Sequence, residues 1–235
     1  MKSLIAAFEY LTIWGRVSTN AAPPETIGKA AIYYPLIGLS LGLLLAFINY
    51  SLAVYLDGEI LSVFLIAVLV VATGATHIEG AIRTFDAFHS ERSSPTHSHA
   101  NIFGFVAIFF LLSFKISAID VIEDKIALSL LLTPVFGRWT LVLFIYGYHD
   151  RCEEMPRRIA ENVRFWHLLV TTLATVGSAV YLLGRKGLWI ALVLSLMTLM
   201  IRSLLHRRHT VLTLDNFGAI VEISETLSLL LLASL

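Results

Sequence analysis

The stretch Ile60-Leu-Ser-Val-Phe-Leu-Ile-Ala-Val-Leu-Val-Val-Ala72 is almost entirely apolar, and it leads into the polar stretch His77-Ile-Glu-Gly-Ala-Ile-Arg-Thr-Phe-Asp86. A long apolar run without charges is typical of a transmembrane helix. On a helix, Glu79, Arg83 and Asp86 lie at positions i, i+4 and i+7, so their side chains project from one face. Charged groups at the end of an apolar span are costly unless they are paired, hydrated or bound to a ligand. The stretch therefore predicts a membrane fold and the position of a functional site.

The composition of the whole chain agrees with a membrane protein. Of its 235 residues, 57% are hydrophobic and 14% are charged, whereas a soluble domain is about 45–50% apolar and about 25% charged. The mean hydropathy is +0.79. The formal net charge is zero, which argues against a nucleic-acid partner. The lone Cys152 excludes an internal disulfide and a cysteine-built zinc site.

We predict an all-α fold, a polytopic membrane helix bundle in which residues 1–235 form a single integral membrane domain. About seven transmembrane helices are expected, near Ile32–Leu56, Ile60–Arg83, Ile102–Asp120, Ile126–Tyr146, Phe165–Leu183, Leu188–Leu205 and Phe217–Leu235. This bundle occupies residues 30–235. Residues 1–22 are predicted to be an interfacial helix and loop, since their apolar run is too short to span and contains Glu9. Gly38-x-x-x-Gly42 predicts a small-residue packing face.

The basic residues predict the orientation of the chain. If the N-terminus is cytoplasmic, most Lys and Arg residues fall in inner segments, and the outer loops keep only Lys125, Arg185 and Lys186. This asymmetry follows the positive-inside rule. We therefore predict a protein integral to the cytoplasmic (inner) membrane, with its N-terminus and its active face in the cytoplasm. The polar segments would then converge on one side of the lipid bilayer.

The carboxylates and histidines around residue 80 allow two interpretations each. Glu79 and Asp86 could hold a divalent cation such as Mg²⁺, leaving coordination positions for phosphate. Alternatively, they form a salt-bridge ladder through Arg83, because Glu four residues before Arg is a favourable order. His77, His89, His97 and His99 could bind a transition metal, or they are ordinary polar residues.

The ionisable residues in the later spans also allow more than one interpretation. Arg138 lies within a predicted span, where an unpaired guanidinium would be costly. It could bind a substrate phosphate bidentately or pair with Glu222 or Glu225, which lie at i, i+3 on the last helix. Asp215 could cap that helix, and it could also bind a metal.

These residues carry a resemblance to the cobalamin synthases (adenosylcobinamide-GDP ribazoletransferases). Gly74-Ala-Thr-His-Ile-Glu-Gly-Ala-Ile-Arg-Thr-Phe-Asp-Ala87 is similar to the family's G-G-x-H-x-D-G-x-x-D-T-x-D-G. The other matches run in the family's order from about Phe8 to the C-terminus. They are Phe8-Glu-Tyr-Leu-Thr12, Tyr34-Pro-Leu-Ile-Gly38 with Gly42, Ser98-His99 with Gly104, Gly137-Arg-Trp139, and Thr213-Leu-Asp-Asn-Phe-Gly-Ala219 with Glu222 and Glu225.

The chain departs from the family pattern at several positions. Glu79 replaces the first Asp, and Arg83 replaces the second acid with the opposite charge. The glycine after the third acid is Ala87, the acid before Ser98 is His97, and a glycine before Asp215 is Leu214. Each lost carboxylate removes both a ligand oxygen and a negative charge from a magnesium site.

The resemblance implies a membrane phosphotransferase that joins adenosylcobinamide-GDP and α-ribazole, or its 5′-phosphate, and releases GMP. Such chemistry needs positioning, a divalent cation (Mg²⁺, with Mn²⁺ or another metal as an alternative) and cationic groups at the phosphates. The residues expected to act fall into three groups: His77, Ser98 and His99 in catalysis; Glu79, Asp86 and Asp215 at the metal; and Arg138, Arg207, Glu222 and Glu225 in phosphate or substrate binding.

Two other interpretations remain open from the sequence. One is a divergent paralogue that acts on another pyrophosphate and alcohol. The other is a non-catalytic membrane binder or transporter whose buried ionisable residues mark a solute path. The oligomeric state is also open, and a homo-oligomer is one of the assemblies that the sequence allows.

Overall fold

The computed structural model describes residues 2–17, 22–90, 102–122, 125–148, 152–207 and 211–234, with the side chains of residues 16, 17, 89 and 90 left aside. Helices account for nearly all of these residues. They are α1 (Lys2–Leu11), α2 (Trp14–Val17), α3 (Pro24–Lys29), a 3₁₀ helix (Ala30–Tyr33), α4 (Tyr34–Leu52), α5 (Gly58–Ala72), α6 (Thr76–Ser90), α7 (Ile102–Val121), α8 (Ile126–Ile145), α9 (Glu154–Glu161), α10 (Phe165–Leu183), α11 (Arg185–Arg207) and α12 (Leu214–Ala233).

The predicted class, a helical membrane bundle, is confirmed. Within the described ranges, six helices are long and apolar enough to cross a membrane: the continuous segment Pro24–Leu52, and α7, α8, α10, α11 and α12. A seventh span results if α5 and α6 are counted together, although they meet at an angle of 90°. Large apolar side chains on α7, α10 and α11 are exposed, among them Phe109, Leu173 and Leu196. Such a surface suits contact with lipid.

The span predicted near Ile60–Arg83 is bent, because the chain turns between α5 and α6. Gly74 and Ala75 have φ angles of 62° and 55°, in the left-handed region that ends helices. The N–H of Ala75 donates to the carbonyl of Val70, and that of Gly74 to the carbonyl of Val71, each at 2.9 Å. This pair of hydrogen bonds is a Schellman motif. It ends α5 even though the apolar sequence continues.

Helix α8 lies at the centre of the bundle, where α4, α10, α11 and α12 pack against it. Gly38 and Gly42 form the face of α4 that contacts α8. A Cβ atom at Gly38 would lie 2.4 Å from the carbonyl oxygen of Pro134, and one at Gly42 would lie 2.4 Å from that of Leu131. No side chain fits in such a gap, so the predicted small-residue packing face is confirmed.

The N-terminal helix α1 packs on one end of this bundle. Its buried face consists of Ala6, Ala7 and Leu11, while Ile5 and Phe8 are exposed. Apolar side chains thus lie both on the face that packs against the bundle and on the exposed face, and the position of α1 at the membrane surface stays a prediction. Tyr10 stacks on the buried Tyr34 with ring centroids 6.0 Å apart. The aromatic contact holds α1 against the first residues of α4.

Candidate functional site

Helices α6 and α12 cross at two glycines, and this crossing builds the site. A Cβ atom at Gly80 would lie 2.7 Å from the carbonyl oxygen of Asp215, and one at Gly218 would lie 2.7 Å from that of His77. The two backbones are thus in direct contact. The amide of Asn216 adds a hydrogen bond to the hydroxyl of Thr84 across the crossing, at 3.2 Å. Segments that are more than a hundred residues apart in sequence are held together here.

The crossing places one cation between two carboxylates. Arg83 Nη2 lies 2.6 Å from Glu79 Oε1, and Arg83 Nη1 lies 3.8 Å from Asp215 Oδ1. The side chains of Arg83 and Glu79 are 57% and 49% exposed, and that of Asp215 is partly buried. Exposed ion pairs contribute only about 0–1 kcal/mol to stability. These three groups are therefore accessible to a ligand, and the ion pairs among them are weak.

A cavity of about 360 Å³ opens beside these three charged groups. Its walls come from α1, α2, α3, α6, α8, α9 and α12. The lining residues are Ala6, Glu9, Tyr10, Thr12, Gly15, Ala22, Ile27, Thr76, His77, Glu79, Gly80, Arg83, Leu141, Met155, Leu214, Asp215, Phe217 and Gly218. Burial raises the pKa of the Tyr10 phenol above its ordinary value, so the hydroxyl stays protonated. Glu9 and Tyr10 could not be assigned to the site from the sequence, because α1 is distant from α6 along the chain.

His77 forms part of the cavity wall at the start of α6. It is 7% exposed, and its Nε2 atom has no hydrogen-bond partner among the described residues. A buried polar atom without a partner costs about 1–3 kcal/mol unless water or a ligand satisfies it. The imidazole therefore belongs to the wall of a ligand-sized cavity, with one hydrogen-bonding atom enclosed and without a partner among the described residues.

Asp215 does not cap α12, so that interpretation is wrong. The N-cap is Thr213, whose backbone N–H donates to the side-chain oxygen of Asn216 at 2.9 Å in a capping-box arrangement. The side chain of Asn216, and not that of Asp215, therefore accepts the hydrogen bond at the start of the helix. Asp215 is left to face the cavity and Arg83.

Asp86 lies outside the cavity. Its Oδ1 atom accepts a hydrogen bond from the backbone N–H of Gly104 at 2.7 Å, which satisfies one of the free N–H groups in the first turn of α7. Asp86 is not among the residues that line the cavity. Over the described ranges, no three His, Cys, Asp or Glu side chains are grouped closely enough to hold a metal ion. The predicted set Glu79, Asp86 and Asp215 is thus not gathered at one point.

A second group of charges, which we call the buried quartet, consists of Lys115, Arg138, Glu222 and Glu225. Lys115 Nζ lies 2.7 Å from an oxygen of each glutamate, and Arg138 Nη1 donates to the other oxygen of Glu225. Two cations and two anions make the quartet neutral. Each of the four residues is no more than 5% exposed.

The quartet joins three helices, α7, α8 and α12, inside the bundle. Of the two partners that the sequence allows for Arg138, the structure shows the acid, Glu225. No member of the quartet lines the cavity. Lys115 was not among the residues predicted from the sequence. A single lysine within an apolar span requires a partner, so its position alone indicates an ion pair.

The remaining predicted residues lie apart from the cavity or outside the described chain. Arg207 is exposed at the end of α11 and does not line the cavity. Ser98, His97 and His99 fall outside the described residues, as does the side chain of His89. Their assignments stay predictions.

The comparison with known families decides what kind of protein carries this site. The model of the cobalamin-5-phosphate synthase family matches residues 3–233. The chain belongs to this family. The match includes both the cavity and the buried quartet, and it confirms the resemblance drawn from the motifs. As a cobalamin-5-phosphate synthase family member, the protein is a transferase of cobalamin biosynthesis with a helical membrane fold.

Curated members of the cobalamin-5-phosphate synthase family resemble the chain over nearly its whole length. An adenosylcobinamide-GDP ribazoletransferase from Geotalea daltonii is 28% identical over 100% of this chain and 98% of its own. One from Clostridium tetani is 28% identical over 90% of this chain and 88% of its own. One from Stutzerimonas stutzeri is 30% identical over 96% of this chain and 95% of its own. No solved structure matches the chain.

Proposed function

We propose that the protein joins adenosylcobinamide-GDP to α-ribazole, or to its 5′-phosphate, and releases GMP. The names of the relatives support these substrates. The observation that carries the proposal is the cavity in which Arg83, Glu79, Asp215 and His77 lie together. It combines a cation for phosphate, carboxylates for a metal and an imidazole for a proton. Phosphoryl transfer depends mainly on positioning and on charge stabilisation, and these are the functions that such groups perform.

Arg83 is the residue that we expect to bind the pyrophosphate. Its guanidinium is 57% exposed, and a planar guanidinium donates two parallel hydrogen bonds to phosphate oxygens. Glu79 and Asp215 hold it from both sides, which orients its free edge. Arg138, by contrast, is fully buried and paired with Glu225. The departure from the family pattern at residue 83 therefore adds a phosphate-binding group at the place where an acid is lost.

Two of the three predicted metal ligands suit a magnesium ion that binds together with the substrate. Mg²⁺ is commonly bound by one or two carboxylates, with phosphates and water as its other ligands. Glu79 and Asp215 line the cavity and meet this requirement, whereas Asp86 does not face it. When bound, the ion, whether Mg²⁺, Mn²⁺ or another divalent cation, would neutralise charge on the pyrophosphate.

His77 is the residue that we propose to accept a proton. The ribose 3′-hydroxyl of α-ribazole attacks the phosphorus nearer the corrinoid, and a new oxygen–phosphorus bond forms. The bond from that phosphorus to the bridging oxygen breaks, so GMP leaves with the bridging oxygen as part of its phosphate. The hydroxyl proton passes to Nε2 of His77, which no described residue engages. General-base assistance of this kind contributes about 10²–10⁴-fold in rate.

The predicted cytoplasmic orientation agrees with the same reaction, since the cavity is lined by residues at the ends of the predicted inner segments. The protein would act at the inner face of the cytoplasmic membrane on substrates delivered from the cytoplasm. The alternatives left open by the sequence, a transporter or a paralogue with another alcohol, are not favoured by any contact in the described residues.

The decisive experiment measures GMP release by the purified protein in lipid nanodiscs, with adenosylcobinamide-GDP and α-ribazole as substrates. We expect release that requires both substrates and is lost in Arg83→Ala. Lys125→Met, which changes an exposed lysine outside the cavity, serves as the matched control and should retain activity. Absence of GMP release from the wild-type protein at every divalent-metal concentration would refute the proposed function.

A further inference from the structure

The two walls of the cavity differ in chemistry. Apart from Glu9, its charged residues come from α6 and the first turn of α12. The rest of the lining, which we call the apolar wall, is mainly apolar and comes from α1, the Ala22 segment, α3, α8 and Phe217 of α12, with Ala6, Ile27 and Leu141 among its residues. A ligand that fills this cavity must therefore have a charged or polar end and an apolar end.

The apolar wall includes two aromatic rings, and each packs against a further ring. Tyr10 is stacked on Tyr34. Phe217 is 2% exposed and packs edge-to-face on Phe144, with ring centroids 6.2 Å apart. Side chains fixed by such packing present a preformed surface, so little conformational entropy is lost when a flat ring binds.

The volume of the cavity limits what it can hold. At about 360 Å³, it lies at the lower end of the roughly 300–1,000 Å³ that ligand pockets occupy. One nucleoside fits in this space, and a corrinoid does not. The exposed Arg83 and Glu79 mark the open end of the cavity, where a large substrate can present its pyrophosphate from outside.

We infer that the apolar wall formed by Ala6, Tyr10, Ala22, Leu141 and Phe217 is the binding site for the base of α-ribazole. The inference rests on the proposed function and extends it by assigning the acceptor nucleoside to this wall. The benzimidazole-type base of α-ribazole is apolar and has no N–H donor once it is glycosylated. Guanine, in contrast, has several donors and acceptors that an apolar wall would leave unsatisfied. With the base on this wall, the ribose hydroxyls point toward His77 and Arg83.

The test adds volume to the wall without touching the charged residues. Ala22→Phe places a ring at a partly buried position of the lining, and Ala53→Phe places the same ring at an exposed position at the end of α4. Binding of α-ribazole alone is measured by isothermal titration calorimetry in nanodiscs. We expect Ala22→Phe to weaken α-ribazole binding by about tenfold or more, because a filled pocket rejects its ligand. Ala53→Phe should bind as the wild type does.

Steady-state kinetics separate the two substrates. Ala22→Phe should raise the KM for α-ribazole by about tenfold and leave the KM for adenosylcobinamide-GDP within about twofold. A competition experiment with the unaltered protein needs no variant: excess GMP should not displace α-ribazole. Displacement by GMP, or an increase only in the KM for adenosylcobinamide-GDP, would overturn the inference by assigning the wall to guanine.

Failure of the inference and failure of the proposed function give different results. If the wild type releases GMP but Ala22→Phe binds α-ribazole normally while retaining the wild-type melting temperature, the base lies elsewhere and the function stands. If the wild type binds α-ribazole, Ala22→Phe does not, and neither releases GMP, the base site stands and the proposed reaction fails.

Discussion

Removing the positive charge of Lys115 should destabilise the protein far more than removing any surface lysine. Its Nζ atom lies 2.7 Å from Glu222 and 2.7 Å from Glu225, and the side chains concerned are 2–6% exposed. Lys115→Met keeps nearly the same volume, so no large cavity forms. The quartet would then hold two carboxylates and only Arg138. Leaving one buried charge without a partner costs about 3–5 kcal/mol.

A second substitution tests whether charge balance is the cause. Lys115→Met combined with Glu222→Gln leaves the pair of Arg138 and Glu225, which is neutral. We expect the double variant to be more stable than Lys115→Met alone by about 2–3 kcal/mol, because residues in one ionic network are coupled by about 0.5–3 kcal/mol. Lys125→Met is the control, and its stability should change by about 0.5 kcal/mol or less.

The free energy of unfolding would be measured by reversible denaturation in mixed detergent micelles, with helicity followed by circular dichroism. The reasoning is refuted if Lys115→Met is as stable as Lys125→Met. It is also refuted if the double variant is less stable than both single variants, because the charge of Glu222 would then stabilise the fold without Lys115.

Three further predictions concern the cavity and its surroundings. Arg83→Asp should make GMP release depend on magnesium more steeply than in the wild type, with a rate about tenfold lower at low Mg²⁺, where the guanidinium is missing, and recovery at saturating Mg²⁺, where a third carboxylate would join Glu79 and Asp215 at the ion; an unchanged magnesium titration would contradict this. His77→Gln should lower kcat by about 10²-fold or more without a comparable loss of stability, and a wild-type kcat would exclude His77 as the proton acceptor. Asp86→Asn keeps the acceptor for the N–H of Gly104 and should retain GMP release within about twofold, whereas loss of release with normal stability would make Asp86 a metal ligand.

The sequence predicted the class of the fold because composition alone decides it. Long runs without charges have no other stable environment than a membrane or a large core. The glycines at 38 and 42 also predicted a packing face, since spacing by four residues places both on the same side of a helix. The bend between α5 and α6 was not predictable in this way. Gly74 is compatible with a membrane helix, and the left-handed conformation of Ala75 is rare for a residue with a side chain.

The candidate site was predictable only in part. The motif around Glu79 and the one around Asp215 each indicated chemistry, and the structure brings them together through Gly80 and Gly218. The separation of Asp86 from Glu79 follows from the sequence, since i+7 spacing places residues on one face but about 10 Å apart along a helix. The hydrogen bond of Asp86 with the N–H of Gly104 joins two helices and could not be predicted in this way. The pairing of Lys115 with Glu222 and Glu225 joins residues 107 and 110 positions apart. Periodicity carries no information on contacts at such separations.

The close backbone approach of Gly80 to Asp215 and of Gly218 to His77 holds α6 against α12 without using the charged side chains that line the cavity. Backbone atoms alone set the spacing of α6 and α12 there, so ionic side chains on either helix can be exchanged without moving the other helix. A designer could therefore vary the residues at 79, 83 and 215 as a combinatorial library on a constant frame. Such a library would map which arrangements of charge at this junction support group transfer and which only bind.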